Sequence, residues 1–209
     1  MRILIADDHD LIRNGLKNIL LKEFPSAFID EASDAEESIK KTLIGNWDLI
    51  ICDLSMPGRS GLEVVHHVRM NFPKIPVLIL SMHPEEQYAI RAIKSGAAGY
   101  LSKDAASQEL IVAVRKVLLG RKYVSASVAD KLADELGQYN GDLALHDLLS
   151  HREFDVFRSL ASGQSISGIS ERLSLSRTTV STYRARIMEK MNMKTNADLT
   201  RHALDNKLI

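Results

Sequence analysis

Three carboxylates, Asp7, Asp8 and Asp10, stand around His9 directly after the apolar run Arg2–Ala6. A fourth, Asp53, closes the run DLIICD, and two further apolar runs end in Ser81 and in Ser102 and Lys103. Like charges brought together resist ionisation unless a cation holds them. Were Asp7, Asp8 and Asp53 to meet in space, the natural cation would be Mg2+, which takes hard oxygen ligands in an octahedron and keeps several waters. After Asp53 the chain reads LSMPGRSG, and Pro57, Gly58 and Gly61 are expected to turn it away and leave the carboxylate open to solvent. An exposed carboxylate beside a divalent ion can attack a phosphoryl donor. The ion and Lys103 would neutralise charge developing on the oxygens, and the Ser81 hydroxyl would donate to one of them.

Those groups share a site only if the elements ahead of them line up. Strand candidates are Arg2–Ala6, Ala27–Ala32, Leu49–Asp53, Pro76–Ser81 and Gly99–Ser102. Between them, apolar residues recur at three and four residue spacing: Leu11 to Leu20, Leu62 to Val68, and Leu110 to Leu118. This alternation predicts an α/β domain with a doubly wound, five-stranded parallel sheet. The unbroken runs LIIC and VLIL fit strands buried on both faces. In an open sheet of this kind ligands collect beyond the carboxyl ends of the strands, and Asp7, Asp8, Asp53, Ser81, Ser102 and Lys103 all belong to that rim. Each has a plainer reading alone: a helix cap for Asp7 and Asp8, a solvated amine for Lys103, a turn for Ser81, packing for Tyr100. Four strand ends with compatible groups favour one shared site. His9 and His83 lie near the rim, but no second His or Cys has ligand spacing with them, and both are read as bystanders.

At 209 residues the chain is long enough for two cores. The 27 Lys and Arg balance 27 Asp and Glu, so net charge alone excludes neither a nucleic-acid nor a membrane partner. The distribution is more telling: residues 147–209 carry 10 cations against 7 anions, and from Arg172 to Lys194 there are 6 against 1. The single cysteine, Cys52, sits in an apolar run and reads as a buried, inert thiol. Nothing resembles a secretory leader or an apolar span of membrane length, so a soluble, cytoplasmic protein is expected.

The predicted organisation is a first domain over 1–120, a linker over 121–146 with a helix near Val128–Leu136, and an all-α domain over 147–209. In the last, three short helical periods separated by Ser- and Gly-containing turns suggest a helix-turn-helix. Ser176 suits an N-cap, and a helix from Arg177 would bury Val180, Ile187 and Met191 while Thr178, Ser181 and Thr182 point outward. Small polar residues at a helix start allow close approach to base edges in a major groove. Arg177, Arg184, Arg186, Lys190 and Lys194 flank them and can neutralise phosphates.

The pieces ILIADDHD, IICDLSMPGRSGLE, VLILSMH and SGAAGYLSKD, in that order, resemble the receiver domain of bacterial two-component response regulators, a flavodoxin-like fold. LSHRE, ASGQSISGIS and LSLSRTTVSTYRARIMEKM resemble the DNA-binding effector of the NarL/FixJ, or LuxR-type, branch. The resemblance implies Asp53 as the phosphorylated residue. It implies Asp8, Asp53 and the backbone carbonyl of Ser55 as magnesium ligands, with Asp7 in the outer shell. Lys103 would pair with the phosphoryl group, and Ser81 with Tyr100 would form a switch. Implied partners are a sensor histidine kinase, double-stranded DNA and a second copy of the chain in a dimer on DNA. Transcription regulation is the expected function, with no catalysis beyond the protein's own phosphorylation and dephosphorylation. Two rivals remain at this point. One is a receiver joined to a protein-binding helical module. The other is a magnesium-dependent phosphohydrolase, against which stands the placement of the nucleophile on the third strand rather than in a D-x-D motif on the first.

Overall fold

The computed structural model describes residues 1–137 and 144–209, apart from the side chains at 86, 87 and 134–137. The Asn140, Gly141 and Asp142 cluster of the expected linker lies outside the described residues. Two compact units are present, Met1–Gln138 and Tyr139–Ile209.

The first unit is the doubly wound parallel sheet predicted from the strand and helix alternation. Its strands β1 (Arg2–Ala6), β2 (Phe28–Ala32), β3 (Leu49–Asp53), β4 (Val77–Ser81) and β5 (Gly99–Ser102) run in the order β2-β1-β3-β4-β5. All neighbours pair in parallel. Every residue of β3 and β4 is buried, which is why LIIC and VLIL carry no polar alternation. β2 is an edge strand and tolerates Asp30 and Glu31 because Lys41 pairs with the first, and Arg13 and Lys17 with the second. Between the strands run α1 (Asp10–Glu23), α2 (Ala35–Ile44), α3 (Gly61–Asn71), α4 (Glu85–Ser95) and α5 (Ala106–Leu118). Ile3, Ile5, Leu49, Ile51, Leu78 and Leu80 meet Leu16 and Leu20 of α1 and Leu110, Val114 and Val117 of α5 in one core.

Helix α2 has no apolar stripe that sequence periodicity could find. It buries Ala35, Ser38 and Thr42, while Leu43 and Ile44 are exposed. Its support is local. Asp34 caps it by accepting from Glu37 N–H at 2.8 Å, and the pairs Glu36–Lys40 and Glu37–Lys41 each span one turn in the favourable direction. Thr42 satisfies its buried hydroxyl by donating to the Ser38 carbonyl at 2.8 Å.

Past α5 the chain returns to the sheet. Tyr123 forms a parallel bridge with Gly99: its N–H donates to the Ala98 carbonyl, and its carbonyl accepts from Tyr100 N–H, both at 3.0 Å. A Cβ on Gly99 would lie 2.7 Å from the Tyr123 carbonyl oxygen, so only glycine admits this approach. Helix α6 (Ala126–Gly137) follows and packs on α4, its entry fixed by Ser125 N–H donating to Glu85 at 3.1 Å.

The second unit is wholly helical: a 3-10 turn (Leu145–Leu148), α7 (His151–Ala161), α8 (Ile166–Arg172), α9 (Arg177–Lys190) and α10 (Asn196–Asp205). Ser150, Ser165, Ser176 and Thr195 cap the four helices, each accepting from a backbone N–H within the first turn. Each such cap contributes about 1 kcal/mol. Phe154, Phe157, Ile169, Val180, Ile187, Met191 and Leu199 are buried and form the core of this unit.

Candidate phosphoryl site and nucleic-acid interface

The rim at the carboxyl ends of β1, β3 and β5 brings the acidic residues and the lysine together. Asp7 follows β1, Asp53 ends β3, and Lys103 follows β5. Lys103 Nζ lies 2.7 Å from Asp7 Oδ2 and 3.1 Å from Asp53 Oδ2. All three side chains are buried, exposed by 7% for the lysine, 1% for Asp7 and 4% for Asp53. Asp8 is beside them, its Oδ1 shut off from solvent and 2.9 Å from His9 Nδ1. Single ligand atoms of Asp7, Asp8, His9 and Asp53 fall within 4.8 Å of one another. Hard carboxylate oxygens at this density fit a small divalent cation of the magnesium class.

The electrostatics follow from burial. Desolvation pushes the Asp53 carboxyl up; Lys103 pulls it back, Asp7 pushes it further, and it stays above the usual carboxylate value. For Lys103, burial favours loss of the proton, but Asp53 and Asp7 outweigh it and hold the ammonium above its ordinary value. The site therefore carries one firmly held cation among more carboxylates than it can neutralise.

The expectation that Asp53 is open to solvent is not met. The turn after Asp53 does leave the sheet, and Gly61 allows it to fold back: a Cβ there would stand 2.2 Å from the Asp53 carbonyl oxygen. The Asp53 side chain itself is buried, 4% exposed. Ser81 is fully buried at the end of β4, where its Oγ accepts from His83 N–H at 3.0 Å. Tyr100 is also fully buried, and its hydroxyl donates to the His83 carbonyl at 3.0 Å. The Ser55 hydroxyl meets His83 Nε2 at 2.8 Å. His83, read from sequence as a bystander, thus contacts Ser81, Tyr100 and Ser55. One signal was available: His83 stands two residues past Ser81, as Ser55 stands two past Asp53, on adjacent strands.

In the second unit, α8 and α9 form the expected helix-turn-helix pair. Val180 and Ile187 of α9 are buried with Met191, while Arg177, Thr178, Ser181, Thr182 and Arg186 are exposed. Ser176 accepts from Thr179 N–H at 3.0 Å and so opens the helix as the sequence predicts. The cations differ. Lys190 Nζ is 2.6 Å from the buried Glu153 carboxylate, and Arg184 Nε donates to Asn196 Oδ1 at 3.0 Å. Among the described residues Arg177, Arg186 and Lys194 have no side-chain partner. Burial raises the Glu153 carboxyl, but Lys190 and the Ser150 amide and hydroxyl outweigh it and hold it below its ordinary 4.5.

Among the described residues no helix is long and apolar enough to cross a membrane. Residues 3–115 match the response regulator receiver domain, and residues 147–203 match the bacterial regulatory proteins of the luxR family. The response regulator GacA of Pseudomonas viridiflava is 34% identical over 209 residues, all of this chain and 98% of that protein. The oxygen regulatory protein NreC of Staphylococcus carnosus is 35% identical over 215 residues, covering 100% of this chain and 99% of its own. A two-component response regulator of the LuxR family from Aurantimonas is similar in structure, with a TM-score of 0.58 and 32% identity over 65% of this chain and 97% of that one.

Proposed function

The chain belongs to the bacterial response regulators that join a receiver domain to a LuxR-family DNA-binding domain, and from that membership we propose that Asp53 is a phosphoryl switch controlling DNA binding. The observation that carries this reading is that Lys103, after β5, stands within 3.1 Å of both Asp7 and Asp53, at the ends of β1 and β3. Asp8, Asp53 and the Ser55 carbonyl would hold Mg2+, with Asp7 behind them. When bound, the cation neutralises charge on the acceptor and the incoming phosphoryl oxygens.

A carboxylate oxygen of Asp53 forms the new bond to phosphorus. The bond from phosphorus to the donor's leaving group breaks, and that group departs with the electron pair. The donor is a phosphohistidine of a sensor kinase or a small phosphate ester or anhydride. Lys103, already in contact with Asp53, pairs with a phosphoryl oxygen and holds it without a large rearrangement. Ser81 turns its hydroxyl from His83 N–H toward the phosphoryl group, and Tyr100 follows into the space this leaves. The second unit presents Thr178, Ser181 and Thr182 to base edges, with Arg177, Arg186 and Lys194 on the phosphates and Arg184 and Lys190 behind them. The phosphorylated protein binds as a dimer, so that two α9 helices meet successive half-sites.

The test compares wild type with Asp53→Ala in DNA binding, with and without beryllofluoride and Mg2+. Wild type should gain affinity or dimer on treatment and the variant should not. Equal affinity and equal oligomeric state in both would end the coupling claim.

A further inference from the structure

Asp7 and Asp8 sit in the short turn between β1 and α1, and no helix cap holds this turn: α1 opens at His9 without a side-chain hydrogen bond. Arg13, in the first turn of α1 and 12% exposed, holds it instead. Its Nη1 donates to the Asp7 carbonyl at 2.6 Å, its Nε to the Glu31 carboxylate of β2 at 3.2 Å, and its Nη2 to Asp10. Glu31 is fixed in turn by Lys17 at 2.8 Å. On the other side of the residue, Asp7 N–H donates to the Ala32 carbonyl of β2 at 3.1 Å. Both peptide groups flanking Asp7 are therefore tied to β2, one directly and one through Arg13. The Asp7 carbonyl belongs to the planar peptide that leads into Asp8, so fixing it fixes the direction in which the Asp8 side chain leaves the chain.

Arg13 brings a charge as well as a fork, and the two act oppositely on a cation at the rim. Arg13 and Lys17 face Asp10 and Glu31, two cations against two anions, so the group is balanced as it stands. Burial works against the guanidinium charge; Glu31 and Asp10 outweigh it and hold the proton more tightly than usual. We infer that Arg13 is a positioning residue for the cation site: its fork orients the Asp7–Asp8 peptide and so sets how tightly the rim takes Mg2+. The inference rests on Asp7, Asp8 and Asp53 being the seat of that ion. None of the Arg13 nitrogens pairs with a side chain of Asp7, Asp8 or Asp53, so it acts through the backbone and not on the ion. A lysine keeps the charge but loses the rigid fork that reaches a carbonyl and two carboxylates together. Removing a group that orients a metal ligand costs roughly 10- to 100-fold in affinity. Arg13 orients through one more bond, which places it at the lower end.

The experiment titrates Mg2+ into the full chain and follows the backbone amide shifts of Asp8 and Asp53 in wild type, Arg13→Ala and Arg13→Lys. Positioning predicts weaker binding in both, by about tenfold for alanine and by a smaller factor for lysine. Charge alone predicts otherwise: tighter binding in Arg13→Ala, which leaves Asp10 and Glu31 one cation short, and no change in Arg13→Lys. Uptake of label from radiolabelled acetyl phosphate separates positioning from a general loosening of the site. In the variants it should fall with the affinity at low Mg2+ and return toward wild type at saturating Mg2+. Melting temperatures show that the variants fold, and Arg13→Lys alone suffices if Arg13→Ala does not. Affinity in Arg13→Ala equal to wild type or tighter, affinity in Arg13→Lys equal to wild type, or uptake that stays depressed at saturating Mg2+ each overturn the inference. In those cases wild type still binds Mg2+ and the reading of the rim stands. A wild type whose site amides do not respond to Mg2+ removes that reading, and the role of Arg13 with it.

Discussion

At the scale of single residues, the site combines groups that do not all favour the folded state. Asp53 is an acid whose buried form is favoured when protonated, since burial and Asp7 together push its carboxyl upward despite Lys103. The sign is then fixed: an acid with a raised folded value is ionised at neutral pH only at a cost to stability. Asp53→Asn, which removes that charge and keeps the shape, should raise the urea midpoint of the first unit by an amount equivalent to about 1 kcal/mol of unfolding free energy. A lower midpoint would mean that the Lys103 pair outweighs desolvation. The identities of Asp7, Asp53 and Lys103 were readable because a residue at a strand's carboxyl end has few places to go. Their burial was not readable. It depends on how elements distant in the chain pack together, which no local pattern encodes.

At the scale of elements, helices were found from sequence where their apolar stripe meets the core and missed where the contact is made by small or hydroxylic residues. Helix α2 shows this best, with Ser38 and Thr42 inward and Ile44 87% exposed. The return of Tyr123 to the sheet edge is a second feature of this kind. Its partner Gly99 carries the cause, since any side chain there would strike the Tyr123 carbonyl. Gly99→Ala should therefore detach Tyr123 from β5 and destabilise the first unit by about 1 to 3 kcal/mol. Hydrogen exchange checks this directly: the amides of Tyr100 and Tyr123, bonded across the bridge, should lose protection together. Protection retained at both would show that the edge accommodates a methyl group.

At the scale of the whole molecule, the balance of 27 cations and 27 anions conceals a division of labour. The cationic stripe of the second unit is itself divided. Arg186 has no side-chain partner among the described residues, whereas Lys190 faces Glu153 at 2.6 Å. Arg186→Ala should reduce the slope of log affinity against log salt for DNA by about 1, the loss of one phosphate contact. Lys190→Ala should leave that slope nearly unchanged and lower the stability of the second unit, because it leaves a buried carboxylate without its cation. The reverse pattern would assign Lys190 to DNA. The sequence by itself determined the sheet, the helix-turn-helix, the family and the residues gathered at the rim. Those follow from periodicity and from strand-end position, which are properties of neighbouring residues. Only the tertiary structure decided which cations are already paired, that Asp53 is covered, and that His83 joins Ser55, Ser81 and Tyr100. Most of these join groups far apart along the chain, as in the 28 residues from Ser55 to His83. Distances of that kind are set by how whole elements pack.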